Sequence, residues 1–139
     1  MSGSIFVDTN VLVYFYTKTE PDKIDKLAPF LCSEELFIST QVLNELANVL
    51  HKKFKMQPPK IVAALKEISE QCSIILVDLQ LILDAIEIMA QHKISYFDSV
   101  IVAAAIRAKC KILLSEDLNN GHIFYKNLKV INPFINQLS

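Results

Sequence analysis

The segment "IFVDTNVLVYFY", residues 5–16, places an acid and an amide inside a strongly apolar run. Residues 5–7 are typical of a short buried β-strand. Asp8 follows at the end of that strand, and Asn10 comes two residues later, before the apolar run resumes at Val11. This pattern predicts that the strand ends at a functional site and that a helix packs directly behind it. The alternative is that Asp8 only caps that helix.

The length and composition predict one soluble domain, residues 1–139. The chain has 139 residues, a net charge of −1 and 52% hydrophobic residues, and a chain of this size buries about 68% of its unfolded surface. No apolar run approaches the ~20 residues of a membrane helix, and the start "MSGSIFVDTN" lacks the features of a signal peptide. We therefore expect a cytoplasmic protein without membrane contact. Because the net charge is near zero, a nucleic-acid partner would require a local basic cluster.

The cysteines and histidines do not have the spacing of a metal site or a redox motif. Each cysteine lies in or beside an apolar segment, which predicts small buried side chains in a reducing compartment. The cysteines are Cys32, Cys72 and Cys110.

Predicted strands and helices alternate along the chain. Strands are expected at about 4–8, 36–39, 73–78, 111–115 and 129–132, and helices from about 10 and over 21–32, 40–54, 58–71, 79–92 and 96–109. The presence of only two glycines argues against a glycine-rich phosphate loop and a turn-dense all-β fold. The alternation predicts an α/β fold, with a parallel sheet of about four or five strands and helices on both faces. Ligands bind beyond the carboxyl ends of the strands in such sheets, where Asp8 is expected.

Four carboxylates are candidates for a shared site: Asp8, Glu45, Asp98 and Asp117. Asp8 and Asp117 follow predicted strands. Glu45 falls on the border between the apolar stripe of its helix and solvent, and Asp98 lies in the first turn of a helix that is apolar on every side. If the strand ends converge, these acids form one negative pocket.

Each acid also has a purely structural explanation. Glu45 fits an ordinary border position, and Asp117 fits a turn. Asp98 fits the acidic position of a capping box that begins at Ser95. The hypothesis of a shared functional site therefore depends on the four acids lying together.

Carboxylates that lie close together repel one another and raise one another's pKa. A divalent cation relieves this repulsion, and oxygen ligands favour Mg²⁺ or Mn²⁺. Such an ion lowers the pKa of a bound water and stabilises charge on a transferring phosphate. An acidic pocket without histidine or cysteine therefore suggests metal-assisted hydrolysis of a phosphodiester.

The segments "FVDTNVLVY", "STQVLNEL", "YFDSVIVAAAI" and "LLSEDL" resemble, in this order, the motifs of the PIN-domain nucleases. The similarity is strongest to the VapC-type toxin ribonucleases of bacterial type II toxin–antitoxin pairs. It covers nearly the whole chain, and its first and third motifs are the most specific. The resemblance implies a single PIN domain that cleaves single-stranded RNA with Mg²⁺, with Mn²⁺ as the plausible substitute. It also implies a homodimer and an antitoxin that blocks the pocket.

The resemblance also assigns roles to residues. It implies that Asp8 and Asp98 are metal ligands, and that Glu45 and Asp117 complete the pocket or orient the attacking water. The supporting residues, Asn10 and Ser115, are implied to hold carboxylates or water by hydrogen bonds. Threonine is the commoner residue at the position of Ser115.

The segment "HKKFK", residues 51–55, is the densest basic cluster. Lys52, Lys53 and Lys55 are candidates for phosphate contacts, and Phe54 continues an apolar stripe that favours the core. The alternative is a solvated helix end, where lysines also suit the helix dipole.

Two other classes of protein share parts of the pattern. A receiver domain would use Asp78, but it requires adjacent acids after the first strand and a lysine after its last. A haloacid-dehalogenase-like phosphatase requires Asp-x-Asp, which "DTN" does not provide. A non-catalytic PIN-like module that binds RNA or protein is the remaining alternative, and the presence of all four acids argues against it.

Overall fold

The computed structural model describes residues 3–17, 20–31 and 35–135, which form a mixed α/β fold around one mostly parallel sheet. The elements are β1 (Ser4–Val7), α1 (Thr9–Thr17), α2 (Pro21–Leu31), β2 (Glu35–Ser39), α3 (Thr40–Lys52), α4 (Pro58–Gln71), β3 (Ser73–Ile75), α5 (Leu79–His92), α6 (Tyr96–Arg107), β4 (Ile112–Leu114), β5 (Ile123–Phe124) and β6 (Leu128–Ile131). The predicted α/β fold class is confirmed.

The strand order is β3-β2-β1-β4-β6-β5. Every neighbouring pair is parallel except β5 and β6, which are antiparallel. The chain moves outward from β1 to β2 and β3, then returns to place β4 on the other side of β1. This reversal opens a crevice at the carboxyl ends of β1 and β4.

Both faces of the central strands are covered. All side chains of Ile5–Val7 and of Ile112–Leu114 are buried, and consecutive strand residues point to opposite faces. Helix α6 is buried over Ser99–Ala105, as expected for a helix that is apolar on all sides. Because α6 is packed on all sides, its first turn is held in a fixed position relative to the sheet.

Side-chain caps mark the starts of three helices. The side chains of Ser39, Asp78 and Ser95 each accept a hydrogen bond from a backbone N–H in the first turn of the following helix. Arg107 at the end of α6 forms an ion pair of 2.9 Å with Asp78.

Three details differ from the prediction. The described sheet has six strands, because the two-residue strand β5 was not expected. Strand β3 ends at Ile75 rather than at residue 78, since Leu76 is 67% exposed. Helix α3 ends at Lys52 rather than near Phe54.

Cys110 is buried and Cys72 is partly buried, whereas Cys32 lies outside the described residues. Among the residues that the structure describes, none of the helices has the length and apolarity needed to cross a membrane.

Candidate active site

Asp8 follows β1 directly and is only 4% exposed. Its backbone N–H donates to the carbonyl of Leu114, which ties it to the end of β4. Its Oδ1 accepts a hydrogen bond from the Thr9 N–H at 2.7 Å, and its Oδ2 accepts from the Ser115 hydroxyl at 2.9 Å and the Asn10 amide at 3.4 Å. The carboxylate is therefore oriented from both sides.

Burial, together with the charges of Glu45 and Asp98, nevertheless raises the pKa of Asp8 to about 7. The hydrogen bonds from Ser115 and Thr9 lower it but do not outweigh the loss of water. A buried acid in this state gains from a nearby cation.

Ser115 is fully buried and connects the end of β4, which it follows, to the end of β1. Its hydroxyl donates to Asp8 and accepts the backbone N–H groups of Asp117 at 3.3 Å and Leu118 at 3.4 Å. One hydroxyl supplies one donor and two acceptors, so all of its capacity is used. It links the first acid to the loop that carries the fourth.

Glu45 lies on the partly buried border of α3, as the helical periodicity predicts. Its Oε1 accepts a hydrogen bond of 2.7 Å from the Thr9 hydroxyl, and its Oε2 accepts one of 2.9 Å from the Gln41 amide. Thr9 thus connects Glu45 to the end of β1. Thr9 lies within the "DTN" segment but is not among the site residues predicted from the sequence.

Asp98 is half-buried in the first turn of α6. Ser95 caps this helix through the backbone of Asp98, whose N–H donates a hydrogen bond of 3.2 Å to the Ser95 hydroxyl. Burial raises the pKa of the Asp98 carboxyl, a hydrogen bond with Ser95 lowers it, and the charges of Asp117 and Glu45 raise it again. Asp98 therefore lies within electrostatic reach of two other candidate acids.

The four predicted acids line one cleft of about 470 Å³. Its walls come from α1, α3, the start of α6 and the loop after β4. The lining residues are Asp8, Thr9, Asn10, Val13, Tyr14, Glu45, Asn48, Val49, Lys53, Asp98, Glu116 and Asp117. The side chains come from four separate parts of the sequence, as the convergence of strand ends requires.

The basic cluster is divided by the structure. Lys53 lines the acidic cleft, whereas Lys52 and Lys55 line a separate hollow beside His51. Phe54 is half-buried, and the Lys53 ammonium lies 5.5 Å from the centre of its ring. Of the three lysines, only Lys53 is placed to reach a ligand in the cleft.

The donor chemistry of the cleft fits a hard divalent cation. Its polar groups are carboxylates, two amides, hydroxyls and the ammonium of Lys53, without sulfur or imidazole. Within residues 3–17, 20–31 and 35–135, no group of three or more acid, histidine or cysteine side chains is drawn together tightly enough to form a finished metal site. Hydrogen bonds from the protein use part of the acceptor capacity of Asp8 and Glu45 instead. Asp8 Oδ1 and the two oxygens of Glu45 accept one of these bonds each, which leaves a lone pair on each oxygen for a further partner.

Fold and cleft together define an α/β protein with an acidic site at the carboxyl ends of its parallel strands. The PIN domain profile matches residues 5–123. The chain belongs to the PIN-domain family, a family of nucleases that generally use divalent metal ions.

Solved structures with the same fold include toxins and toxin–antitoxin complexes. A toxin–antitoxin complex from Klebsiella pneumoniae aligns with a TM-score of 0.70 and 16% identity, over 94% of this chain and 98% of that one. VapC20 of Mycobacterium tuberculosis, a toxin that cleaves the sarcin-ricin loop, aligns with a TM-score of 0.66 and 20% identity, over 81% and 89%. FitAcB of Neisseria gonorrhoeae aligns with a TM-score of 0.62 and 20% identity, over 93% of this chain and 97% of that one. No curated protein sequence gives a significant match.

Proposed function

We propose that this protein is a Mg²⁺- or Mn²⁺-dependent endoribonuclease and the toxin of a toxin–antitoxin pair. The observation that carries the proposal is the convergence of Asp8, Glu45, Asp98 and Asp117 on one cleft. Membership of the PIN-domain family supports the same reaction class. An acidic cleft without bound cations repels RNA, so the arrangement makes chemical sense only if a cation is held there.

In this proposal Asp8 and Asp98 hold the ion, which supplies an activated water and stabilises charge on the phosphate when bound. Glu45 and Asp117 complete the pocket or orient the attacking water. Ser115 and Asn10 keep the Asp8 carboxylate in place through the hydrogen bonds described above.

The proposed substrate is single-stranded RNA, taken up at the open side of the cleft. Lys53 supplies the positive charge that the cleft wall offers to a phosphate. We propose that the protein, as one domain over residues 1–139, acts in the cytoplasm.

A cognate antitoxin is proposed from the similar structures, of which several are complexes of a toxin with its antitoxin. The test is expression of the chain alone and with the protein of the neighbouring reading frame. Growth arrest that the neighbouring protein relieves supports the pair, and no growth defect in either case contradicts it.

A homodimer is proposed because α5 exposes an apolar stripe. Leu79, Leu83 and Ile86 are 71%, 48% and 44% exposed, and their spacing places them on one helix face. Light scattering should give twice the chain mass for the protein and the chain mass for Leu83→Glu. A monomer in both cases contradicts this part of the proposal.

Cleavage of end-labelled RNA tests the enzymatic proposal. Reactions contain Mg²⁺, Mn²⁺ or a chelator, with the natural sequence, Asp8→Asn, Asp98→Asn and the exposed control Asp25→Asn. We expect cleavage only with metal, and only by the natural sequence and Asp25→Asn. Equal cleavage in every reaction indicates contamination and contradicts the proposal, whereas RNA binding without cleavage favours a non-catalytic module.

A further inference from the structure

A fifth acid, Glu116, lines the same cleft but differs from the other four. Its Oε1 accepts a hydrogen bond of 2.8 Å from the Tyr14 hydroxyl, and its Oε2 accepts one of 2.9 Å from the Lys23 ammonium. Lys23 also donates to the Tyr14 oxygen at 2.8 Å. The charge of Glu116 is thus compensated by a cation within the protein.

Lys23 is held firmly in this position. Its ammonium lies 4.5 Å from the centre of the Tyr14 ring and 5.0 Å from that of Phe134, within the range of cation–π attraction. Glu20 adds a longer ion pair of 3.8 Å. Hydrogen bonds with Tyr14 and Glu116 raise the pKa of Lys23, so the ammonium stays charged.

The backbone around Glu116 is tied to the cleft from the other side. The Glu116 N–H donates to the Asn10 side-chain oxygen at 3.1 Å. The N–H groups of the next two residues, Asp117 and Leu118, donate to the Ser115 hydroxyl. The loop of residues 115–118 is therefore fixed by the start of α1 through its backbone and by Tyr14 and Lys23 through one side chain.

We propose that Lys23 and Tyr14 are positioning residues that act through Glu116 and hold Asp117 in its place at the cleft. Helix α2, which carries Lys23, contributes no residue to the cleft lining. Glu116 is assigned to this tether and not to the metal. The catalytic importance of the tether rests on the proposed nuclease function, but the tether itself does not.

Hydrogen exchange tests the tether without any cleavage or metal. It is measured in chelator on the backbone N–H groups of residues 116–118, for the natural sequence, Lys23→Met, Lys23→Arg and the exposed control Lys26→Met. A hydrogen bond to a charged group contributes enough that we expect about tenfold faster exchange in Lys23→Met. Lys23→Arg and Lys26→Met should exchange at the natural rate.

The N–H of Leu81 is the internal reference, because it is also protected by a side-chain acceptor, Asp78 at 2.9 Å. Unchanged exchange at residues 116–118 in Lys23→Met overturns the proposal. If Lys23→Met does not fold, Glu116→Gln replaces it, since its amide oxygen still accepts from Tyr14 while the ion pair is lost. Unchanged exchange in Glu116→Gln overturns the proposal equally.

Kinetics then distinguish positioning from direct contact with RNA. A positioning role predicts that Lys23→Met lowers kcat about tenfold while KM and its salt dependence change less than about twofold. A raised KM with a weaker salt dependence would mean that Lys23 binds a phosphate, and would overturn the proposal. If the natural sequence cleaves no RNA, the nuclease proposal fails, and the exchange rates still decide whether the tether exists.

Discussion

The hydroxyl of Ser115 donates a hydrogen bond of 2.9 Å to the carboxylate of Asp8, 107 positions away in the sequence. Both groups are buried. This bond joins the ends of two adjacent parallel strands and fixes the orientation of the first acid of the cleft. It also explains why a small hydroxyl residue is needed directly after β4.

Replacing Ser115 tests this link. Ser115→Ala leaves the Asp117 and Leu118 N–H groups without their acceptor, and we expect a loss of about 1–3 kcal/mol in the free energy of unfolding. Urea denaturation measures it. Ser115→Thr, which keeps the hydroxyl, should lose less than half as much; equal losses would show that side-chain volume and not the hydrogen bond matters.

The raised pKa of Asp8 predicts how stability depends on pH without metal. Its folded pKa of about 7 lies above the usual 3.8, so the folded state holds the proton more tightly than the unfolded state. The free energy of unfolding should therefore fall as pH rises from about 4 to about 7, by up to about 4 kcal/mol, and then level off.

Urea denaturation in chelator across this pH range checks the effect against Asp8→Asn, which cannot ionise. The difference between the two proteins should grow with pH in favour of the variant. Profiles that run parallel from pH 4 to 8 would contradict a strained Asp8 carboxylate.

Asp98→Asn should not weaken the metal-free fold. The Ser95 cap uses the backbone N–H of Asp98, which the substitution keeps, and the charges of Asp117 and Glu45 no longer oppose a carboxylate there. Thermal unfolding in chelator should give an equal or higher Tm. Ser95→Ala is the contrasting variant and should cost about 1 kcal/mol; a large loss in Asp98→Asn would mean that its carboxylate is structural.

The three lysines of residues 51–55 should differ in how much each contributes to RNA binding. Lys53 lines the cleft, and Lys55 does not, so Lys53→Met should weaken RNA binding several-fold. It should also reduce the slope of log binding constant against log salt concentration by about 0.7, the value expected for one phosphate of a single strand. Lys55→Met and Lys52→Met serve as controls. Fluorescence anisotropy with non-cleaving Asp8→Asn measures all three, and equal effects would point to a dispersed basic surface.

The main features of the fold could be predicted because each has a local cause. Apolar residues 5–7 and 112–114 mark the central strands, and Ser95 marks the start of the buried helix. Strand β5 could not be predicted, because Ile123 is exposed and the strand depends on pairing with β6 rather than on its own pattern. The length of β3 was overestimated because apolar composition alone does not distinguish a buried residue from the exposed Leu76.

The acids of the cleft could be selected by their position at strand ends and helix starts. Of their hydrogen-bond partners, Asn10 and Ser115 were selected through the family resemblance. The others could not be selected, because hydrogen bonds across long stretches of sequence leave no spacing signal. The bond from Thr9 to Glu45 spans 36 positions, and the Lys23–Glu116 pair spans 93. The division between Lys53 and Lys55 likewise depends on where α3 ends.

Metal binding shows whether Asp8 and Asp98 share one divalent ion, as the proposed nuclease function requires. Calorimetric titration with Mn²⁺ compares the natural sequence with Asp8→Asn, Asp98→Asn and the exposed control Asp25→Asn. We expect the natural sequence and Asp25→Asn to bind Mn²⁺ alike, and each cleft variant to lose at least about tenfold in affinity, because carboxylate oxygens are the ligands that such ions require. Equal affinity in all four proteins would contradict a divalent ion shared by Asp8 and Asp98.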